Sequence, residues 1–170
     1  MQLTRRDATR ILLGAAAGFS ASPAALAKDA AEEQLRTQVC VVGGGSGGIG
    51  AALAAARAGA DVVLLERESI LGGTSTCAWV HSWEPVSGAD GIPRELYESM
   101  KEDPLAVTYP DYGEGAMRRG GRGLPFEPRA LNYAAREMLE ATGRCRVLLG
   151  TTYFRARREN DRIVAVEAWF

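Results

Sequence analysis

The chain has 170 residues, enough for one domain with a substantial hydrophobic core. It carries 20 basic and 21 acidic side chains, a net charge of −1, and the two signs are interspersed. This balance provides no basic surface of the kind that nucleic acid requires, so we expect no nucleic-acid partner. The three cysteines, without C-x-x-C spacing or a histidine cluster, predict neither a disulfide framework nor a metal site.

Residues 1–27 predict a signal peptide that is not part of the fold. Arg5 and Arg6 precede a modestly apolar stretch, and Ala25-Leu26-Ala27 offers a small-x-small cleavage site. No run in the rest of the chain is long and apolar enough to span a bilayer. We therefore expect a periplasmic or otherwise exported protein that meets an export machinery and has no membrane span when mature.

The first residues resemble a twin-arginine export signal in particular. Thr4-Arg5-Arg6-Asp7 with Arg10 follows that pattern, except that Ala8-Thr9 replaces its usual pair of large apolar residues. A Sec signal or a basic amphipathic helix is the alternative. Residues 28–36, charged and alanine-rich, predict a linker with at most a helical turn.

A strand, a helix and a second strand are predicted at the start of the mature domain. Val39–Val42 and Val62–Leu65 are short apolar runs, typical of strands that a parallel sheet buries on both faces. Ala51–Ala58 consists almost entirely of strong helix formers, and Gly59 is suited to the left-handed position that ends a helix. The pattern predicts an α/β fold of the Rossmann type.

The turn after the first strand has the G-x-G-x-x-G spacing of a dinucleotide-binding loop. Gly43 permits the tight turn, Gly45 leaves room for a pyrophosphate, and Gly48 lets the helix pack close to the sheet. The N–H groups at the start of the helix favour the phosphates. Glu66 lies 23 residues after Gly43, where a carboxylate accepts hydrogen bonds from an unphosphorylated ribose. The predicted loop consists of Gly43, Gly44, Gly45, Ser46, Gly47 and Gly48.

The residues that follow resemble those of the FAD-dependent oxidoreductase superfamily. Glu66-Arg67, then Gly72-Gly73-Thr74, is similar to the acid, base and Gly-Gly turn of that superfamily, and the resemblance runs from about Thr37 to the end of the chain. It implies FAD as the cofactor, with Arg67, Gly72, Gly73 and Thr74 among its contacts. A NAD-dependent Rossmann dehydrogenase, the main alternative, would not need the second glycine element.

The second half of the chain predicts an insertion and then a return to regular structure. Residues 79–124 predict a loop-rich insertion that contains a short helix over Ile92–Lys101. An amphipathic helix is predicted over Glu127–Thr142, and Arg146–Gly150 is predicted as a third buried strand. A hairpin with strands at 151–157 and 162–169 follows. This order is similar to that of the superfamily's FAD domain.

Three residues after the second glycine element are candidates for chemistry. His81, the only histidine, has a charge that switches near neutral pH, and it alternates with Trp79 and Trp83 as on a strand. A structural histidine between aromatic side chains is the interpretation that we favour. Cys77 could be a redox thiol or a flavin attachment point, but a small buried side chain is commoner. Glu84 is a weaker acid–base candidate.

Other residues have less specific interpretations. Arg118, Arg119 and Arg122 fit an anionic substrate, although a solvated basic loop fits them better. Cys40 and Cys145 lie on predicted strands and are expected in the core.

Together these features predict the FAD-binding part of an exported FAD-dependent oxidoreductase with a small-molecule substrate. The superfamily that the chain resembles continues into a substrate domain and a late Gly-Asp motif, so we expect a truncated domain. A truncated, non-catalytic remnant is the second alternative, and a fumarate-reductase-like flavoprotein is a variant of the main interpretation.

Overall fold

The computed structural model describes residues 2–6, 33–83, 90–108 and 123–170. Strands and helices are numbered along this part of the chain. The strands are β1 (Gln2–Arg6), β2 (Glu33–Arg36), β3 (Val39–Val42), β4 (Val62–Leu65), β5 (Ser82–Trp83), β6 (Leu124–Pro125), β7 (Cys145–Leu148), β8 (Thr152–Glu159) and β9 (Arg162–Trp169). The helices are α1 (Ser46–Arg57), α2 (Ile92–Met100) and α3 (Pro128–Ala141), and Gly73–Ser75 forms one 3-10 turn.

A parallel sheet with β4 at its centre organises the fold. β3 pairs with one edge of β4 and β7 with the other, in registers that align Val39 with Val62 and Val62 with Cys145. All four residues of β4 are buried, as the uninterrupted apolar run predicts. α1 connects β3 to β4, and α3 lies on the longer connection from β4 to β7. The prediction of a Rossmann-like α/β fold is confirmed.

The two faces of the parallel sheet are covered differently. Val62 and Leu64 belong to a core that they share with α1, α2 and α3. Val63 and Leu65 face the other side, where they pack with Val166 of β9. Because successive strand residues point to opposite faces, one short run supplies both cores. The described part of the chain therefore has three layers, with helices, the parallel sheet and an antiparallel sheet in that order.

The antiparallel hairpin at the end of the chain forms as predicted. β8 and β9 pair from Thr152 opposite Trp169 to Glu159 opposite Arg162, with bulges that interrupt the register. Two residues connect the strands, and the first of them, Asn160, has a φ of 51°. Asparagine tolerates this left-handed conformation better than most residues, which suits it to a tight turn.

The amino-terminal segment differs from the sequence-based expectation. Gln2–Arg6 forms β1, which runs parallel to β9, and β2 pairs antiparallel with β1. In the uncleaved chain these five residues are thus a strand, and Glu33–Arg36 is a strand where a linker with a helical turn was expected; that residues 1–27 are a signal peptide stays a prediction. Short polar segments of this kind have no periodicity of their own, and their strand conformation comes from the partner strand. Residues 7–32 lie outside the described part.

The insertion predicted at residues 79–124 is partly built into the helical core. β5 pairs with β6, and the ring centroids of Trp83 and Phe126 lie 4.7 Å apart. Ala106 and Val107 are buried, and Val107 forms a β-bridge with Phe126. Part of the insertion therefore shares the core of α3, whereas Trp79, Val80 and Leu105 are exposed.

The three helices are short for a membrane span. In the ranges that the structure describes, none is both long and apolar enough to cross a bilayer.

Candidate functional site

The first glycine loop connects β3 to α1 through a turn that requires glycine at two positions. Gly43 has a φ of +98° and donates its N–H to the carbonyl of Leu65 over 2.8 Å. A Cβ on Gly48 would lie 1.8 Å from the carbonyl oxygen of Gly43. Helix α1 can begin this close to the turn only because Gly48 has no side chain, as the spacing predicts.

In the described part of the chain, no side chain covers the amino-terminal end of α1. Gly45 occupies the N-cap position, where no side chain caps the helix, and the first turn contains no acidic residue. A Cβ on Gly45 would have Gly73 Cα as its nearest neighbour at 3.9 Å, and a Cβ on Gly47 would have none within 4 Å. The first N–H groups of α1, with their partial positive charge, therefore face a turn that no side chain fills.

Glu66 lies at the end of β4 and faces this turn. Its side chain is only 7% exposed, and Oε2 accepts a hydrogen bond from the N–H of Gly44 over 2.6 Å. Oε1 accepts from the N–H of Glu68 over 2.8 Å. Because each carboxylate oxygen has two lone pairs, both oxygens keep the capacity to accept from a ligand.

The second glycine element lies directly against the first. Gly72 and Gly73 have φ values of +109° and +56°, and the N–H of Gly72 donates to the carbonyl of Gly44 over 2.8 Å. A Cβ on Gly73 would lie 3.0 Å from the Cα of Gly45. Two loops that are separate in the sequence thus form one backbone surface without side chains, adjacent to Glu66.

Two buried polar residues, neither of them predicted from the sequence, support the second loop. Asn132 of α3 accepts the N–H of Leu71 at Oδ1 over 2.9 Å. Thr76 donates its hydroxyl to the carbonyl of the same Leu71 over 2.7 Å. A usable signal existed for Asn132, because it shares the apolar stripe of α3 with Leu131 and Ala135, where a polar residue is unusual.

Other predicted contact residues stand apart from this surface. Arg67 is exposed, and its Nε pairs with Glu68 Oε1 at 3.0 Å. Ser46, the first residue of α1, and Thr74 are also exposed. Exposure in the protein alone leaves these residues accessible, so their predicted contact with a cofactor stays a prediction.

The surroundings of His81 and Cys77 differ from expectation. Trp79 has a φ of 57°, so the predicted strand alternation of Trp79, His81 and Trp83 is wrong. His81 is exposed, and its Nδ1 lies 2.7 Å from the carbonyl oxygen of Trp79. The expectation of a buried Cys77 is also wrong, because the residue is exposed, directly after the 3-10 turn, with its N–H bonded to the carbonyl of Gly73.

The other two cysteines lie on strands, as predicted, but both are half-buried and pack against the cores rather than inside them, so the expectation of core residues is wrong. Cys40 on β3 is half-buried, and desolvation raises the pKa of its thiol to about 11. Desolvation also raises the pKa of Cys145 on β7. In the ranges that the structure describes, no group of three or more histidine, cysteine and acidic residues is arranged to hold a metal ion. Glu84, Arg118, Arg119 and Arg122 lie outside those ranges.

A βαβ unit with a side-chain-free turn and a buried acid at the next strand end defines a dinucleotide-binding domain of the Rossmann class. The sequence profile of the family described as FAD dependent oxidoreductase matches residues 38–169. The chain belongs to this family, and its cofactor is FAD. The G-x-G-x-x-G turn, Glu66 and the Gly72-Gly73 element all lie within the matched residues.

One known protein is similar to part of this chain in sequence, and two solved structures are similar to it in fold. The 4-oxocyclohex-2-ene-1-carboxylate 5-dehydrogenase of Sinomonas cyclohexanicum is 34% identical over 102 residues, which are 58% of this chain and 16% of that relative. The myxobacterial chondrochloren halogenase CndH, a FAD-dependent halogenase, is 21% identical with a TM-score of 0.55. The match covers 78% of this chain and 32% of the halogenase. Aquifex aeolicus GidA is 17% identical with a TM-score of 0.50, and the match covers 79% of this chain and 23% of GidA. The two structures share the fold, and this chain spans a minor part of all three proteins.

Proposed function

We propose that the chain is the FAD-binding portion of an oxidoreductase that acts on a small organic substrate. One observation carries the proposal, namely that two glycine loops meet as a single backbone surface adjacent to a buried carboxylate. The hydrogen bond from Gly72 to Gly44 joins the loops, and the bond from Gly44 to Glu66 joins them to the acid. A NAD-binding turn needs only the first loop and the acid.

The chain's residues fit the chemical groups of FAD in a defined order. Glu66 presents carboxylate oxygens that accept hydrogen bonds from the two hydroxyls of the adenosine ribose. The first N–H groups of α1 favour the negative pyrophosphate. Gly45 and Gly73, whose backbones approach each other without side chains, allow the pyrophosphate to come close to both loops. Gly72-Gly73-Thr74 then leads toward the flavin side.

When bound, FAD supplies the redox chemistry, and the protein supplies orientation and proton transfer. His81 is suited to the second task. A carbonyl oxygen only accepts hydrogen bonds, so the 2.7 Å contact with Trp79 places the proton of a neutral imidazole on Nδ1. Nε2 is then the basic nitrogen, on an exposed side chain six residues beyond the 3-10 turn. We propose His81 as the proton acceptor and keep Cys77 as the second candidate.

For the reaction class, we propose dehydrogenation. The relative from Sinomonas cyclohexanicum, which is 34% identical over 102 residues, is named as a dehydrogenase of a small ring carboxylate. The matched residues make up 58% of this chain, so the likeness extends beyond the glycine turn. We extend to this chain the reaction class and the small size of the substrate.

Flavin absorbance tests the cofactor assignment. The purified 170-residue chain is titrated with FAD and, in a parallel series, with NAD⁺, and binding is followed by the flavin bands and by calorimetry. We expect saturable binding of FAD and much weaker binding of NAD⁺. Preferential binding of NAD⁺ would establish the Rossmann dehydrogenase alternative, and binding of neither dinucleotide would indicate the non-catalytic remnant.

Export is a separate proposal that rests on the sequence of residues 1–27. We expect a bacterial host to export the chain by the twin-arginine route and to cleave it after Ala27, so that the exported protein begins at Lys28. N-terminal sequencing of periplasmic protein measures the cleavage site. Replacement of Arg5 and Arg6 by lysine should leave the chain in the cytoplasm, whereas unchanged export of this variant would favour a Sec signal.

A further inference from the structure

We propose that Asn132 and Thr76 are positioning residues that hold the second glycine element in the conformation that receives FAD. The proposal rests on the proposed FAD-binding function and adds two side chains to it. Neither residue belongs to a glycine loop, and Asn132 lies 61 residues away from the residue that it binds.

Asn132 supplies a hydrogen-bond acceptor in the helical core. It is 6% exposed, in the second turn of α3, on the face that packs against the rest of the helical layer. Its Oδ1 accepts the N–H of Leu71, whose side chain is fully buried. A buried backbone N–H without a partner is costly, so the amide satisfies a group that water does not reach.

Thr76 acts on the other side of the same residue. Its hydroxyl donates to the carbonyl of Leu71 over 2.7 Å, and the side chain is 2% exposed. Its methyl carbon fills the space beside Gly72, where an added Cβ would lie 2.4 Å away. The N–H and the carbonyl of Leu71 are thus both bound by side chains, one from α3 and one from the turn that follows.

Leu71 in turn sets the position of the glycines. The next residue, Gly72, donates its N–H to the carbonyl of Gly44, and Gly44 donates to Glu66. Gly72 and Gly73 both have positive φ values, and glycine has more backbone conformational freedom than any other residue type. Fixing the residue before them lowers the entropy that the loop would otherwise lose when FAD binds.

A positioning role and a purely structural role predict different ligand dependences. In the proposed site the second glycine element lies on the pyrophosphate and flavin side, Glu66 lies on the adenosine side, and the first loop receives the pyrophosphate between them. Loss of the Leu71 contacts should therefore weaken FAD while leaving AMP, which carries only the adenosine half, unaffected. General destabilisation of the domain would weaken both ligands together.

The experiment measures the dissociation constants of FAD and AMP for the full chain and for two pairs of variants. Thr76→Val removes the hydroxyl and keeps the shape, and Thr76→Ser keeps the hydroxyl. Asn132→Leu removes the acceptor, and Tyr133→Leu changes an exposed neighbour on α3. We expect Thr76→Val and Asn132→Leu to weaken FAD about tenfold, the equivalent of one buried hydrogen bond. AMP should change less than about twofold, and Thr76→Ser and Tyr133→Leu should bind both ligands like the wild type.

The remaining outcomes each decide the question. Equal weakening of FAD and AMP, or unchanged binding of FAD in Thr76→Val, would overturn the positioning role. If Asn132→Leu does not fold, the Thr76 pair decides alone, because valine and threonine have nearly the same shape. A wild-type chain that does not bind FAD would instead refute the proposed function itself, so the two failures are distinguishable.

Discussion

The N–H of Gly44 donates a 2.6 Å hydrogen bond to Oε2 of Glu66, so the turn that would carry the pyrophosphate also orients the acid that would hold the ribose. The two residues are 22 apart in the chain. Gly44 is closely packed as well, because a Cβ there would lie 2.5 Å from Leu71 Cδ2 and 3.1 Å from Glu66 Oε2. The acid therefore has a structural role before any ligand binds.

This double role predicts that Glu66→Gln destabilises the protein without FAD. A carboxylate accepts from the N–H groups of Gly44 and Glu68 at once, whereas an amide has one oxygen for two donors. We expect the free energy of unfolding to fall by about 1–3 kcal/mol, the cost of one unsatisfied buried donor. Urea denaturation measures it.

Glu68→Gln is the matched control for that measurement. Glu68 is exposed, and its side chain pairs with exposed Arg67. Such a surface pair contributes about 0–1 kcal/mol, so the control should stay close to the wild type. Equal stabilities of the two variants would show that the hydrogen bonds to Glu66 are not required in the absence of ligand.

Gly48→Ala tests the packing of α1 against the turn. The added Cβ would lie 1.8 Å from the carbonyl oxygen of Gly43, a backbone atom that cannot move without moving the turn. We expect a loss of about 3 kcal/mol in the free energy of unfolding, at the upper end of the cost of overpacking. Thermal and urea unfolding of the purified variants provide the comparison.

Gly50→Ala, in the same helix, is the control for helix propensity. A Cβ on Gly50 meets no atom within 4 Å, so this variant should gain about 0.5–1 kcal/mol. Opposite signs for the two substitutions would identify the close approach as the cause, whereas a gain in both would contradict it.

Gly45→Val separates folding from binding. Gly45 has φ and ψ of −73° and −174°, an extended conformation that a β-branched residue adopts readily. The nearest atom to its Cβ is Gly73 Cα at 3.9 Å, so we expect a change of less than about 1 kcal/mol in stability without ligand. Valine would occupy the space that the pyrophosphate needs, so FAD should no longer raise the melting temperature. A full FAD-dependent shift in this variant would place the ligand elsewhere.

The sequence predicted the first loop and β3, α1 and β4 because their signals are local. An apolar run, a glycine spacing and an alanine-rich helix each report on their own residues, and Glu66 follows from a fixed distance along the chain. The support of the second loop is not local. Leu71 and Asn132 meet only after α3 has packed against the sheet, so no window of sequence contains both residues.

Two other features also escaped prediction. β2 forms because a partner strand is present, and its residues have no alternation that would mark it. Trp79 adopts a left-handed conformation, which is rare for a bulky residue, so a strand was the better expectation from sequence. The sequence does show Asn132 as a polar residue on an apolar helix stripe. This position predicts that Asn132 is buried, but it does not identify Leu71 as its hydrogen-bond partner.

The ion pair between α1 and the insertion predicts a small pH dependence of stability. Arg57 donates from Nη1 and Nη2 to the two carboxylate oxygens of Glu95, and these hydrogen bonds lower the pKa of Glu95. A group with a lowered pKa contributes fully above its unfolded pKa, about 4.3, and loses the contribution as the pH falls through the folded value. Both side chains are more than 40% exposed, so we expect at most about 1 kcal/mol.

Urea unfolding of the wild type and of Glu95→Gln between pH 7 and pH 3 measures this contribution. The difference between the two proteins should be largest at neutral pH and low salt and should vanish in acid. Glu137→Gln, an exposed acid on α3, controls for the loss of a charge. A difference that persists at pH 3 would assign the effect of Glu95 to packing instead.

The three cysteines should differ in reactivity toward alkylating reagents, because the thiolate is the nucleophile and needs access. Cys77 is exposed, whereas Cys40 is half-buried with its pKa raised to about 11 and Cys145 is half-buried with a raised pKa. At pH 8 iodoacetamide should modify Cys77 first, as peptide mass spectrometry would show, and Cys77→Ser should remove the fast phase.

Because Cys77 donates its N–H to Gly73, the proposed site adjoins it, and saturating FAD should slow its labelling. Labelling of Cys77 at the same rate with and without FAD would place the flavin away from this turn, and faster labelling of Cys40 would contradict the partial burial and raised pKa of that thiol.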